Sequence, residues 1–242
     1  MSSGSPTGRE RYGVDAPMVP VAFAAAAVVA LALAPFVGLA WPWLIIAAAS
    51  AVQLGLYLHA TLRGKFRIWE RLLDEAQLTG DERILDLGCG RGALTIAAAR
   101  RVPRGSVDGV DLWRSVDQSG NVEVATRANA VAAGVSDRVS LHTGDVGDLS
   151  FDDHTFDLVI SSLVIHNIHD AAHRASVISE GLRVLKPGGR FVIADIDHVK
   201  EYAEGLRAAG ATDVQVTGLG PGGWFGNPWF RMTSVRARSA TS

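Results

Sequence analysis

Hydrophobic positions follow two different patterns along this chain. Between Asp15 and Arg63 there is no Asp, Glu, Lys or Arg, and the interval is built mostly from Ala, Val, Leu and Ile. From Lys65 onward, short apolar runs alternate with stretches in which apolar residues recur every three or four positions. The first pattern is typical of membrane-spanning helices, and the second of strands that alternate with helices.

The uncharged interval is long enough for two membrane spans. A spanning helix needs about 20 mostly apolar residues, and residues 18–40 and 43–59 each come near that length. The helical register between them is interrupted by Pro35, Gly38 and Pro42. We therefore predict a two-helix transmembrane hairpin over residues 17–62.

Charges around the interval predict its orientation. Arg9 and Arg11 precede the first span, basic residues cluster between residues 63 and 71 after the second, and the connecting turn carries no charge. Because basic residues favour the cytoplasmic side, both termini and the remaining domain are expected in the cytoplasm. A cleaved signal peptide has an apolar core of about 7 to 15 residues, too short for this interval. A monotopic hairpin in the membrane interface and an Ala-rich hairpin buried in a soluble core stay open.

The second pattern predicts a layered α/β domain over residues 63–238. Helices are expected over residues 65–78, 93–102, 121–134, 171–185 and 201–210. Strands are expected over residues 83–87, 106–112, 138–145, 156–164, 189–196, 212–219 and 229–238. This alternation implies a parallel, doubly wound sheet covered by helices on both faces. Residues 1–16 and the tail 239–242 are expected to be disordered.

Composition excludes several other classes. The net charge of −2 shows no basic excess, so nucleic acid is not an expected partner. Cys89 is the one cysteine, which rules out an intrachain disulfide, and neither it nor the histidine spacing suggests a metal site. The oligomeric state is not indicated.

The stretch "ILDLGCGRG", residues 84–92, carries the first chemical signal. Glycines at a turn from a strand into a helix let a ligand lie against the backbone. Asp111 ends the next strand 19 residues after Gly92, where a carboxylate can accept hydrogen bonds from ribose hydroxyls. Dinucleotides prefer the spacing GxGxxG. Here the spacing is GxGxG and Asp86 precedes it, which disfavours a diphosphate and suits a cationic ligand.

Five segments in order resemble the class I S-adenosylmethionine-dependent methyltransferases. They are "ILDLGCGRG", "VDGVDLW", "HTGDV", "FDLVISSLVIHNI" and "LRVLKPGGRFVIAD", and the resemblance covers residues 66–238. It implies a Rossmann-like sheet of seven strands with the last strand antiparallel. It also implies an enzyme that binds S-adenosylmethionine and transfers its methyl group.

The resemblance also implies which residues bind the cofactor. The methionine portion would meet Asp86, Gly88, Cys89, Gly90 and Ser161. Asp111 would hold the ribose, and the adenine would lie among Leu112, Trp113, Asp145 and Val146. Cys89 is equally explained as a small tolerated residue, and Trp113 as part of the core. The connection after Trp113 is longer than the family's usual one, which makes Asp117, Gln118 and Asn121 further candidate contacts.

The acceptor side is less sharply indicated. Ser162, His166 and Asn167 follow the fourth strand, and Trp224 lies in the aromatic segment "GPGGWFGNPWF". His166 is a candidate general base, but a pocket-forming role and a structural role stay open.

The hairpin favours a lipophilic acceptor, because a membrane tether raises the local concentration of the enzyme near such compounds. The segment "SSLV" stands where amide-nitrogen methyltransferases often carry an Asn/Asp-Pro-Pro-aromatic motif, so oxygen or sulfur is favoured as the methylated atom. Two alternatives remain: a membrane-tethered nicotinamide-dependent reductase, and a non-catalytic cofactor-binding scaffold.

Overall fold

The structure, a computed structural model, describes residues 12–37, 39–114 and 122–241. The strands are β1 Arg83–Leu87, β2 Ser106–Asp111, β3 Val139–Thr143, β4 Phe156–Ser162, β5 Leu185–Asp195, β6 Thr212–Gly218 and β7 Thr233–Arg238. The helices are α1 Met18–Leu33, α2 Trp41–His59, α3 Lys65–Glu75, α4 Ala93–Ala99, α5 Glu123–Ala132, α6 Ala171–Arg183 and α7 Val199–Ala208. The candidate contacts Asp117, Gln118 and Asn121 lie outside the described residues.

All seven strands form one sheet in the order β3-β2-β1-β4-β5-β7-β6. Strands β1 to β5 pair in parallel, and β7 runs antiparallel between β5 and β6. This confirms the predicted fold class, including the antiparallel last strand. The strand order reverses between β1 and β4, and a crevice at the carboxyl ends of these strands is the usual ligand site of an open α/β sheet.

Strand β1 shows how the sheet divides the core into two layers. Ile84 packs in one apolar cluster, whereas Leu85 and Leu87 pack in the other, because successive side chains of a strand point to opposite faces. Asp86 therefore lies on the same face as Ile84, the face covered by α4. That alternation decides which layer can contact the Asp86 carboxylate.

Several element boundaries differ from the predicted ones. Strand β5 begins at Leu185, not at residue 189, because Leu185 pairs with Phe156 ahead of an irregularity in the ladder. Strand β7 begins at Thr233, not at residue 229. In both places tertiary pairing outweighs the local turn or strand preference of the residues.

The predicted hairpin is present as α1 and α2, which pack against each other. Two segments, Met18–Phe36 and Trp41–Glu75, are long and apolar enough to cross a membrane, and only 17% and 28% of their most apolar windows are buried. Helix α2 continues through a π-helical turn, Ala60–Gly64, directly into α3. The boundary predicted between residues 62 and 63 thus falls inside continuous helix.

The hairpin base is joined to the core of the α/β domain. Tyr57 and Ala60 belong to the same apolar cluster as Trp69, and so does Tyr12. Residues 12–16, expected to be disordered, instead pack in place: Tyr12 is 6% exposed and its ring lies 5.6 Å from that of Phe66. The disorder prediction is wrong for these residues because it was based on their polarity and did not consider the apolar surface that they cover.

Candidate cofactor and acceptor site

The glycine turn after β1 is shaped by the protein's own packing. Gly88 and Gly92 have φ angles of +72° and +80°, which side-chain-bearing residues rarely adopt. A Cβ atom on Gly88 would lie 2.3 Å from the Val164 side chain, and one on Gly92 would lie 2.8 Å from Thr126. The N–H groups of Gly88 and Cys89 both donate to the carbonyl of Val110. These glycines are therefore required by strand and helix packing before any ligand is considered.

Asp86 and Asp111 stand on either side of this turn and both line a large cavity. Asp86 is 1% exposed and accepts a 2.6 Å hydrogen bond from the Thr95 hydroxyl. Burial, and secondarily the charge of Asp111, raises the pKa of Asp86 to about 7. Asp111 accepts hydrogen bonds from the N–H groups of Gly90 at 2.8 Å and Trp113 at 2.6 Å. The two carboxylates make this end of the cavity favourable for a cation.

Asp145 lies at the far end of the same crevice, after β3. Burial acts to raise its pKa, but hydrogen bonds from the Gly147 N–H and from His173 outweigh burial, so the pKa lies below its ordinary value. Leu112 and Val146 line the cavity beside it. The Trp113 indole instead donates to the Thr143 hydroxyl at 2.8 Å, and Trp113 is not among the lining residues. The predicted adenine contacts are thus brought together except for Trp113.

The two serines at the end of β4 face different surroundings. Ser161 is fully buried and donates to the Leu87 carbonyl at 3.2 Å, away from the cavity lining. Ser162 lines the cavity, and its hydroxyl accepts a 2.7 Å hydrogen bond from the Trp69 indole of α3. Asn167 also lines the cavity. The alternation of a strand explains why one serine reaches the cavity and its neighbour does not.

His166 forms a dyad with Asp195 at the centre of the cavity wall. A 3₁₀ turn, Ile165–Asn167, follows β4 and brings the ring of His166 to the carboxyl end of β5. Its Nδ1 lies 2.5 Å from Oδ1 of Asp195, a side chain with no solvent exposure. Asp195 also accepts from the backbone N–H groups of His166 and Ile196. A carboxylate at Nδ1 stabilises the proton there, so Nε2 is the acceptor nitrogen of the neutral ring.

The cavity extends from these polar groups to the base of the hairpin. Its volume is about 980 Å³, at the upper end of the usual range for small-molecule sites, about 300–1,000 Å³. The hairpin contributes Val19, Phe23 and Tyr57 to the lining. The loop between β6 and β7 contributes Phe225, Asn227 and Phe230, whereas the predicted Trp224 does not line the cavity.

A partly buried ion pair lines one side of the cavity near the hairpin. Lys65 donates to both carboxylate oxygens of Asp15 at 2.7 Å, and the Thr61 hydroxyl donates to the same carboxylate at 2.8 Å. The Tyr57 hydroxyl donates to the backbone carbonyl of Asp15 at 2.7 Å. Segment 12–16 is thereby tied to the helix that runs from α2 into α3.

Sequence patterns did not identify several of these residues as site residues, although some of them stand at informative positions in the sequence. Asp195 is the next-to-last residue of the fifth predicted strand, and the carboxyl ends of neighbouring parallel strands meet at one edge. Asp15 is the last charge before the apolar interval, and Lys65 is the second after it, so a hairpin would bring them close. Trp69 and Phe225 left no such signal, because an aromatic residue at helical or loop spacing is equally well explained by the core.

Comparison with known proteins identifies a family and a fold. Residues 78–217 match the family described as "Methyltransferase domain". A demethylmenaquinone methyltransferase of Symbiobacterium thermophilum is 37% identical over 131 residues, which are 53% of this chain and 49% of that protein. The 27-O-demethylrifamycin SV methyltransferase of Amycolatopsis mediterranei is 31% identical over 164 residues, 61% of this chain and 55% of that protein. The chain thus spans about half the length of the curated relatives that it matches.

A solved structure supports the fold independently. The crystal structure of a SAM-dependent methyltransferase from Aquifex aeolicus superposes with a TM-score of 0.57 at 19% identity, covering 71% of this chain and 89% of that chain. At this identity the likeness concerns the fold alone. It accords with the order of the seven strands described above.

Proposed function

The chain belongs to the class I S-adenosylmethionine-dependent methyltransferases, and on that premise we propose that it methylates a small lipophilic acceptor at a membrane. One observation carries the proposal: a single cavity is lined both by the carboxylates of the glycine turn and by apolar side chains of the hairpin. A cofactor and a hydrocarbon-bearing acceptor would meet in that cavity. The predicted reductase alternative is disfavoured because two carboxylates at the turn would repel a diphosphate.

The residues at the cofactor end fit S-adenosylmethionine. Asp86 and Asp111 offer negative charge near a cationic ligand, and a carboxylate can accept several hydrogen bonds, which suits Asp111 to ribose hydroxyls. Asp145 is positioned to accept from an amino group. When bound, the cofactor supplies a methyl group on a positively charged sulfur. The position of each carboxylate in the cavity supports its role.

His166 is proposed as the general base. The Asp195 carboxylate orients the ring and stabilises the proton on Nδ1, so Nε2 is the atom that would accept a proton from the acceptor. Loss of a hydroxyl proton makes a phenol or hydroquinone nucleophilic at its oxygen and at the adjacent ring carbons. Proton transfer of this kind contributes roughly 10²- to 10⁴-fold to a rate.

The acceptor head would lie between His166 and the indole of Trp69. The Trp69 ring is held by its hydrogen bond to Ser162, which leaves its apolar surface toward the cavity. Holding both reactants in line is worth about 7–11 kcal/mol of a barrier. Two relatives are named for a demethylmenaquinone and for a 27-O-demethylrifamycin, which supports a small oxygen-bearing organic acceptor.

The membrane assignment rests on what the hairpin exposes. Large apolar side chains point outward along both helices, among them Val28 at 65%, Ile45 at 58% and Val52 at 62% exposure. Burying such surface in lipid is favourable by about 25 cal/mol per Å². Arg63 and Arg67 are exposed at the base of the hairpin, beside the α/β domain. We therefore propose that α1 and α2 span the bilayer with the α/β domain on the cytoplasmic side.

The test is methyl transfer to a membrane extract. The full-length protein is reconstituted in liposomes, supplied with methyl-labelled S-adenosylmethionine and a lipid extract of its host, and the labelled product is identified by mass spectrometry. The cofactor-site variant Asp111→Ala serves as the blank. The proposal predicts label in an apolar, oxygen-bearing product. Label confined to water-soluble compounds, or cofactor binding with no transfer to any extract, contradicts it.

A further inference from the structure

Three aromatic rings meet where the hairpin joins the α/β domain. The rings of Tyr57 and Phe225 lie edge to face with centroids 5.5 Å apart, and those of Phe23 and Tyr57 are 6.3 Å apart. All three residues line the same cavity as the carboxylates of the glycine turn. This aromatic group is the wall that an apolar part of the acceptor would reach after passing Trp69.

The three rings are held to different degrees. Tyr57 is 4% exposed and its hydroxyl is hydrogen-bonded to the Asp15 carbonyl, while Phe225 is 6% exposed in the core. Phe23 is only partly buried, and a hydrocarbon ring has no hydrogen bond to hold it. Displacing the Phe23 ring costs less free energy than displacing either of the other two rings, so Phe23 is the part of the wall that moves.

The loop before β7 is built to lie against Phe23. Gly226 has a φ of +90°, and a Cβ atom there would lie 3.0 Å from the Phe23 ring. The loop backbone therefore packs directly on that ring, next to the Gln53 carbonyl of α2. Phe23 and the loop residue Phe225 both line the cavity, so this contact lies at its wall.

Beyond Phe23 the facing surfaces of the hairpin carry small side chains. Residues 24–27 of α1 are all alanine. Further along, Ala30 of α1 and Ala47 and Ser50 of α2 are buried, which allows the two backbones to approach closely. On α1 the cavity is lined by Val19 and by the larger Phe23, and the residues that directly follow Phe23 are small.

We propose that Phe23 limits the length of the hydrocarbon tail that the acceptor site accommodates, so that the membrane hairpin is part of the substrate site. The inference rests on the proposed function and assigns a specificity-determining residue to it. Tails that end at Phe23 fit the cavity as it stands. Longer tails have to displace its ring from the loop at Gly226 in order to continue toward the bilayer.

The experiment compares Phe23 variants across a series of tails. Wild type, Phe23→Ala, Phe23→Leu and Phe23→Trp are prepared as full-length proteins in detergent micelles. Calorimetric titration without cofactor measures the affinity for unsubstituted, pentyl, decyl and pentadecyl hydroquinone. Phe36→Ala, the same substitution at an 86% exposed position near the hairpin tip, is the matched control. S-Adenosylmethionine binding reports that each variant is folded.

The expected result is a shift in tail preference. A buried methylene is worth about a fourfold gain in affinity, so Phe23→Ala should raise the pentadecyl-to-pentyl affinity ratio by roughly tenfold or more. Phe23→Leu should shift it less, and Phe23→Trp should lower it. Phe36→Ala should keep the wild-type ratio. Methyl-transfer rates on the same series should follow the affinities.

Two results overturn the inference while the methyltransferase proposal stands: unchanged ratios in all Phe23 variants, or an equal shift in Phe36→Ala. Wild type that binds tailed hydroquinones no better than the unsubstituted compound also overturns it. A tail-dependent affinity that shifts with Phe23, without transfer of methyl to any acceptor, instead counts against the proposed function and supports the tail site.

Discussion

Replacing Asp195 by Asn should impair catalysis while leaving cofactor binding intact. Both oxygens of Asp195 act as acceptors: Oδ1 faces the His166 ring and the Ile196 N–H, and Oδ2 faces the His166 N–H and the Tyr202 hydroxyl. An amide of the same shape has one oxygen and one NH₂ group. In either orientation of the amide, its NH₂ group faces another hydrogen-bond donor.

The size of the effect follows from which hydrogen bond is lost. If the NH₂ group faces the ring, the neutral imidazole must move its proton from Nδ1 to Nε2, and Nε2 can no longer accept one. A hydrogen bond to a charged group contributes about 1.5–3 kcal/mol, which corresponds to roughly a 10- to 150-fold loss in rate. The matched control is Tyr202→Phe, which removes only a 3.5 Å contact to Asp195 and should change the rate by less than about threefold.

The assay is steady-state methyl transfer to decyl hydroquinone in liposomes at saturating S-adenosylmethionine. We expect kcat to fall in Asp195→Asn toward the value of His166→Gln, with the acceptor KM and the cofactor Kd close to wild type. A thermal unfolding curve separates this result from loss of structure. Retention of kcat within about threefold, in a folded variant, would refute the orienting role of Asp195. Equal losses in Asp195→Asn and Tyr202→Phe would do the same.

Three further predictions concern the charged groups of the cavity. Asp111→Ala should weaken S-adenosylmethionine binding at least roughly hundredfold by calorimetry, because it removes charged hydrogen bonds worth about 1.5–3 kcal/mol each. The exposed control Asp137→Ala should leave the affinity unchanged. Unchanged affinity in Asp111→Ala would contradict the cofactor assignment. Since the pKa of Asp86 is raised to about 7 by burial, its contribution to the stability of the ligand-free protein is complete below the unfolded pKa, near 4, and is lost as the pH rises through about 7. Cofactor affinity should move the other way, rising through about pH 7 as the carboxylate ionises, and Asp86→Asn should flatten that profile. Lys65→Met should lower the free energy of unfolding by about 1.5–3 kcal/mol because it removes the charged hydrogen bonds to the partly buried Asp15. Adding Asp15→Asn should restore part of the loss in thermal unfolding, and additive losses would count against the ion pair.

Much of the fold could be predicted from the sequence because its signals are local. The glycine turn after "ILDL" and the alternation of apolar runs depend on residues close together in the chain. The antiparallel last strand was implied by the family resemblance. The predicted boundaries of helices and strands were less accurate. The start of β5 depends on Leu185 meeting Phe156, 29 residues earlier, in the ladder, and the Pro-Gly-Gly that follows Leu185 suggests a turn when considered alone.

The site was predicted in part for the same reason. Asp86, Asp111 and Asp145 occupy motif positions that directly follow or end strands, and the structure brings all three to one cavity. Trp113 and Trp224 are adjacent to residues that do line it, Leu112 and Phe225. A shift of one residue reverses the direction of a side chain in extended backbone, as at Trp224, whereas Trp113 lies in the left-handed region with a φ of +58°. Sequence patterns resolve neither conformation at loop ends.

The chain's local order thus specifies a Rossmann-like domain preceded by two apolar helices, since helical and strand periodicity act over a few residues at a time. How the two parts join depends on contacts between distant segments. Asp15 forms an ion pair with Lys65, 50 residues away, and Trp69 is hydrogen-bonded to Ser162, 93 residues away. Those contacts follow from the packing of α3 on the sheet and of the loop at Gly226 on Phe23. They make the two-helix hairpin one wall of the cavity, because burial of apolar surface is decided by the three-dimensional arrangement and not by neighbours in the chain.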